Sequence, residues 1–350
     1  MGRKALWVAT ALGALIIGVG TSIGAGSGST TILYDDFSFD DGTKWTMPYG
    51  ELEAGVNDAN HYRKVVNGAE RMRAVPFTQS FDFSVYDHLK IIEVSTQVFP
   101  LPANGSLEFS ADITASTPGV VNNLNQQGIY GPAFTWTDPL NPPTTPDYSA
   151  RVLEGQQAGV VLNMVDFCTG QLFDWFLSSN KAFTLIERLP TNVTGNTANP
   201  DCPGATFVGK DEMYTQIANE VPLKPGKHKV SIRVTQNESE FYVEYRLDGK
   251  LVSKIANIGI PLDKQGVKYT GIAPSLGPGE SLKGQIASFA IAHGLFSLVD
   301  AFPYQHPDAP ELSVSIPSGT GNPAHAGRAR LFGQGADGTF DNFRVTTTGQ

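Results

Sequence analysis

The chain has 350 residues, enough for one large domain or two small ones, and all-β domains of roughly 200 to 250 residues are common enough that length does not force a division. Only 17% of the residues are charged, while 37 glycines and 23 prolines supply turns, a composition of strands joined by loops rather than of a helical bundle. A formal charge of -9 and a pI near 5.2, with no basic stripe, exclude a partner recognised mainly through phosphates, so no nucleic acid is expected.

The N-terminus reads "MGRK", then "ALWVATALGALIIGVG", then "TSIGAGSGS". Two cations, an apolar run and a small-residue tail are the parts of a secretory signal over residues 1–26, with a cut before Ser27. An uncleaved anchor is the alternative, although the run is short for a hydrocarbon layer of about 30 Å. The expected product is an extracellular chain, residues 27–350, forming a single domain with no stable membrane span after cleavage.

"TTILYDDFS" is a short β-prone run followed by the turn-rich "FDDGTKW". Residues 88–99, "HLKIIEVSTQVF", and 107–114, "LEFSADIT", alternate with period two: Leu107, Phe109, Ala111 and Ile113 share one face, and Glu108, Ser110, Asp112 and Thr114 the other. A Pro-rich loop then leads to residues 159–167, "GVVLNMVDF". "QLFDWFLSSNKAFTLIERLP" reads as two strands around "SSNK". "KDEMYTQIANEVP" reads as a short helix. From His228, "HKVSIRVTQNESEFYVEYRLDGKLVSKI" is a β-meander whose Asp248-Gly249 pair suits a tight turn. "IASFAIAHGLFSLVDAF" fits a buried strand or a buried helix. "GTFDNFRVTTTG" is a final strand in which Phe340 and Phe343 break strict alternation around Asp341 and Asn342.

Cys168 and Cys202 are the only cysteines, and in an exported chain they are expected to form a disulfide, closing a loop worth roughly 3 to 4 kcal/mol. Sequons at Asn104, Asn192 and Asn237 are compatible with glycosylated loops.

"YDDFS", "NGSLEFSADI" followed by "YGPAFTWTD", the meander ending "YRLDGKLV" and the terminal "GTFDNFRV" together resemble the concanavalin A-like lectin and glucanase superfamily. The resemblance implies an all-β fold: a two-sheet antiparallel jelly-roll sandwich with long loops, with the first and last strands side by side and a glycan on a concave sheet. It also implies a retaining site with a nucleophilic Glu, a supporting Asp and an acid/base Glu on one strand. In "VLNMVD" those places fall on Val161, Asn163 and Asp166, and only the last is a carboxylate. Retaining hydrolysis needs two carboxyl groups, and valine supplies neither role. Similar glucanases carry a structural calcium, for which Asp36 and Asp341 stand at fitting places, although two acids do not define a hard-ion cage. No other cofactor is read.

The residues assigned to chemistry are therefore Asp166 and Glu187, the latter following "AFTLI" on a strand where burial would turn a carboxyl into a general acid. A strand-end salt bridge for Glu187 and a turn-capping role for Asp166 are the plainer alternatives. Glu108, Asp112, Tyr130, Trp136 and Asn163 are the ligand-binding set, acids for hydroxyls and rings for stacking; a solvated outer face is the plainer reading of the acids. Trp45 and Trp175 fit either core or platform. The six histidines show neither an HExxH nor a close paired spacing, so no metal site is read; nucleophile-elbow, Walker and dinucleotide motifs are absent. The expected function is a secreted glycan-binding or surface protein without retaining glucanase chemistry; the alternative is an enzyme (lyase, isomerase or hydrolase) acting on a glycan or small molecule through a non-standard carboxylate site.

Overall fold

The structure, a computed structural model, describes residues 28–47, 58–78, 88–120, 153–188, 214–256, 258, 282–298 and 331–349. These build an all-β sandwich of two antiparallel sheets with one helical turn, α1 (Glu154–Gln157). The first sheet holds β1 (Ser29–Asp35), β3 (Tyr62–Val66), β4 (Ala69–Ala74), β6 (Gly105–Ser116), β11 (Lys227–Gln236), β12 (Phe241–Leu247), β13 (Lys250–Ile255) and β15 (Ala336–Gly349). Its order is β13-β12-β11-β6-β15-β4-β3, and β1 also pairs with β15. The second holds β2 (Trp45–Thr46), β5 (His88–Pro100), β7 (Gly159–Asp166), β8 (Gln171–Leu177), β9 (Lys181–Arg188), β10 (Tyr214–Pro222) and β14 (Ser288–Ser297), in the order β10-β9-β8-β7-β14-β5-β2.

Period-two patterning explains where the core lies. Leu107, Phe109, Ala111 and Ile113 of β6 are all buried and meet Leu162 and Met164 of β7, Phe173 and Trp175 of β8 and Ile291 of β14 in one cluster between the sheets. The two buried polar tips find acceptors: Trp175 Nε1 donates to the Ser231 carbonyl at 2.9 Å and Tyr245 Oη to that of Leu185 at 2.6 Å. Trp175 and Trp45 are both buried in the inter-sheet core.

β15 is the spine. Its first half pairs with β4, its second half with β1, and its whole length with β6. Two phenylalanines three positions apart face opposite sides of a regular strand, yet Phe340 and Phe343 are both buried in the core. A register shift between Asp341 and Arg344, with Asn342 at φ 53°, inserts the extra residue that turns both inward.

The meander β11–β13 and the Asp248-Gly249 turn, with φ of 50° and 78°, stand as the sequence suggests. "IASFAIAHGLFSLVDAF" resolves to strand β14 across its described part. The helix expected in "KDEMYTQIANEVP" is corrected: Tyr214–Pro222 is the edge strand β10, where Ala218 enters the inter-sheet core and Ile217 is buried opposite Leu185. Cross-strand burial overrides local propensity there. The hairpin β3–β4 went unread, although Asn67 and Gly68, at φ 54° and 70°, form the two-residue turn that an Asn-Gly pair favours.

The expected bridge between Cys168 and Cys202 falls partly outside the described residues. Cys168 is not a free thiol, but no pair of cysteines at bonding distance stands among the described residues, because Cys202 lies outside them. The signal-like segment lies outside them too, as do Tyr130, Trp136 and Asn192. No helix among the described residues is long and apolar enough to cross a membrane. Asn104 is exposed and Asn237 half-buried.

Candidate functional site

At one edge of the sandwich the hairpin β3–β4 closes the first sheet and β5–β2 the second. Glu70 takes an inward position on β4, beside Met72 and Ala74. Glu93 on β5 lies directly opposite His293 on β14. Alternation aims all three between the sheets, where side chains are otherwise apolar. The His293 ring is boxed by Trp45, Phe340 and Phe343, with centroids 4.5, 4.7 and 4.8 Å away.

Arg63 of β3 reaches in from the rim. Its Nε lies 2.6 Å from Glu70 Oε1 and 2.6 Å from Glu93 Oε1, while Nη1 donates to both Asp40 oxygens at 2.8 Å. His293 Nε2 contacts Glu70 Oε2 and stands 3.9 Å from Glu93 Oε2. Even so, Arg63 Nε, Glu70 Oε1, Glu93 Oε2 and His293 Nδ1 have no hydrogen-bond partner in line. Three carboxylates face one guanidinium, and the cluster is incompletely satisfied.

Burial sets the electrostatics. It pushes Glu70 up to about 7 against the pull of Arg63, and, with the charge of Glu70 adding to it, pushes Glu93 up to about 8. It drives His293 down to about 4. Arg63, which burial alone would lower, is held above its ordinary value by Glu70, Glu93 and Asp40.

The cluster has an opening. A cleft of about 480 Å³ is lined by Asp40, Gly42, Trp45, Thr46, Met47, Arg63 and Glu93, so one buried carboxylate faces solvent-accessible space beside a tryptophan and a charged rim. Trp45 is fixed by donating Nε1 to Asp35 Oδ2 at 2.7 Å.

The residues singled out in the sequence lie elsewhere. Asp166 caps the β7–β8 turn, accepting from Cys168 N at 3.0 Å, Thr169 N at 3.0 Å and Thr169 Oγ1 at 2.6 Å; burial raises its pKa against those bonds. Asn163 donates to Asp174 Oδ1 at 2.7 Å on the outer face of the second sheet. Glu187, two residues beyond the Leu185 that pairs with Asp174, is buried on that same face, as is Val161. Glu108 and Asp112 lie on the outer face of the other sheet, where Asp112 Oδ2 accepts from Asn342 at 3.1 Å. The structure thus brings Asn163 and Glu187 to one face and leaves Glu108 and Asp112 on the far side of the sandwich. Asp36 accepts from Ser38 N at 3.0 Å and Asp341 is paired with Lys227 Nζ at 3.0 Å, so each of these acids has a protein partner of its own. Among the described residues, the group of His, Cys or acid side chains close enough to share an ion is Glu70, Glu93 and His293.

Sequence reasoning missed this cluster. Its members come from strands far apart in the chain, 223 positions between Glu70 and His293. The available signals were a lone acid inside the apolar "KIIEVS" and the Asn-Gly turn that creates the β3–β4 hairpin.

The family described as "Family of unknown function (DUF6081)" matches residues 145–349. No curated protein matches the chain. The sandwich resembles glucanase-like solved structures at low identity. An endo-1,3-β-glucanase from Streptomyces sioyaensis is 13% identical over 94% of this chain and 100% of its own, with a TM-score of 0.40. A β-1,3-glucanase from Mycobacterium marinum is 10% identical over 91% and 97%, with a TM-score of 0.39. An exolytic PL7 alginate lyase from Zobellia galactanivorans is 9% identical over 86% and 91%, with a TM-score of 0.35. These are likenesses of fold, and no residue role is carried over from them.

Proposed function

The chain belongs to this family of unknown function, whose description assigns no chemistry, and we propose that it is an extracellular enzyme acting on a glycan in the cleft at the β2–β5 and β3–β4 edge. The observation that carries this reading is geometric. Two carboxylates and an imidazole converge in an otherwise apolar interior, which is costly, and one of them, Glu93, opens onto a cleft.

Glu93 is the reacting carboxylate, exchanging a proton with the bound substrate or with water. Glu70 and His293 fix its surroundings, and Arg63, tethered by Asp40, offers donors at the rim. Trp45, packed in the core, contributes only its edge to the lining of the cleft. The reaction class is hydrolysis or elimination at a glycosidic linkage. Retaining glucanase chemistry on β7 is not part of the proposal, because the strand offers Val161 and Asn163 where two acids are required.

The test is a turnover screen with neutral, amino-bearing and uronic acid polysaccharides, comparing wild type with Glu93→Gln. Wild type is expected to release new chain ends from one class, and E93Q to lower kcat by about 10²- to 10⁴-fold with thermal stability retained. Turnover left unchanged by E93Q, or none across the panel, contradicts the proposal.

A further inference from the structure

We propose that Glu70, Glu93 and His293 form a binding site for one zinc-type divalent cation, with its open coordination position facing the cleft. The inference rests on the same cleft as the reading above but changes the role of Glu93 there, from direct proton exchange to holding an ion whose open position would activate a water; it stands on separate observations and is tested by separate measurements.

One ligand atom from each residue lies within 4.8 Å of the other two. The His293 and Glu70 ligand atoms are already in contact and Glu93 Oε2 stands 3.9 Å from His293 Nε2, so an ion among them requires the first pair to part, given Zn–N and Zn–O distances of about 2.0 to 2.2 Å. The donor set is one imidazole nitrogen and carboxylate oxygens. Three such protein ligands beside an open position suit zinc; Ca²⁺ asks for six or more oxygens, and Mg²⁺ for an oxygen octahedron.

A second observation points to a missing partner. Glu93 is 5% exposed, yet its Oε2 has no hydrogen-bond partner and stands 3.9 Å from His293 Nε2, across the gap an ion would fill. Glu70, fully buried, leaves Oε1 without an aligned donor. The single Nε–H of Arg63 stands close to both carboxylates and is in line with neither.

Arg63 opposes a cation electrostatically, and its geometry also shows how that opposition is relieved. Both oxygens of Asp40, a half-exposed carboxylate at the lip, already hold Nη1. A guanidinium displaced from the interior therefore keeps a bidentate counter-ion and moves toward solvent. The ligands themselves come from strands β4, β5 and β14, and three aromatic rings fix the imidazole plane. Rigid elements of this kind are what a metal site requires of its surroundings.

The experiment uses the full chain, purified without chelator and dialysed against Zn²⁺ or Ca²⁺, with elemental analysis and thermal unfolding as readouts. About one zinc per chain is expected, with a Tm that rises on Zn²⁺ addition and falls on chelation, and no response to Ca²⁺. His293→Asn and Glu93→Gln should each weaken zinc affinity by about 10-fold or more. Glu93, next to the cleft, supplies the variant least disruptive of folding. Co²⁺ loading should give visible absorption in wild type that E93Q alters. Substoichiometric zinc with an unmoved Tm, a Ca²⁺ response alone, or full zinc retention in both variants overturns the proposal. Glycan turnover that depends on Glu93 but ignores chelation would remove the metal and leave the enzyme reading; zinc bound without any glycan turnover would do the reverse.

Discussion

At the scale of single residues, the side chains with chemistry are distinguished by whether their partners complete them. Asp166 has three donors in its own turn, whereas Glu93 keeps an unpartnered oxygen beside a cleft. The acid that looked catalytic from its neighbours is the better satisfied one. His228 illustrates the same accounting for pH. Its Nδ1 faces Asp248 Oδ2 at 2.8 Å and its Nε2 the Lys224 carbonyl at 2.7 Å; both partners only accept, so both bonds form only with the imidazolium. Burial would lower its pKa, but the Lys224 carbonyl and Asp248 outweigh burial and raise it. A raised folded value means the stabilisation is complete below the unfolded pKa of about 6.5 and is lost as pH climbs through the folded value. As pH rises from below the unfolded pKa through the folded value, wild type should lose unfolding free energy relative to His228→Gln in urea denaturation. Parallel pH profiles would show that the clip contributes nothing.

At the scale of elements, the bulge in β15 decides which residues reach the His293 box. Phe340 and Phe343 both enter the core because Asn342 adds one residue to the strand opposite β6. Deleting Asn342 leaves the phenylalanines two apart, still on one face, and should retain the fold at a cost of about 1 to 2 kcal/mol for the lost Asp112 hydrogen bond and local adjustment. Inserting one glycine after Asn342, with the bulge kept, instead reverses the parity beyond it. Phe343 and Val345 then face outward, and each lost burial costs about 1.5 to 3 kcal/mol. Urea unfolding of the two variants checks this; a deletion more damaging than the insertion would refute the parity argument.

At the scale of the whole molecule, the parts legible in the sequence are those governed by local alternation or local residue type. β5, β6, the meander and the irregularity at Asp341-Asn342 are visible in spacing, whereas the two strands around "SSNK", buried on both faces, are visible from their aromatic and β-branched content. β10 was misread because its burial depends on β9 and the core rather than on its own propensity. The site was illegible for a stronger reason. Arg63, Glu70, Glu93 and His293 lie on four strands, and only the pairing of β14 with β5 and the closing of one sheet over the other bring them together. Ordinary residue types at long separations carry no local pattern, whereas Asp166 drew notice from neighbours that resemble glucanase machinery.

The two carboxylate-bearing regions, the inter-sheet edge and the outer face of the second sheet, make opposite forecasts about where a glycan sits. A crystal structure of the protein with a bound oligosaccharide, taken from whichever polysaccharide class it turns over or binds, separates them directly. The ligand is predicted in the cleft beside Trp45, with a sugar oxygen within hydrogen-bond distance of Glu93 and the Asp40–Arg63 pair at the rim. An oligosaccharide bound instead across Asn163, Asp174 and Glu187, with the cleft holding only water, would contradict the assignment of Glu93 as the reacting group.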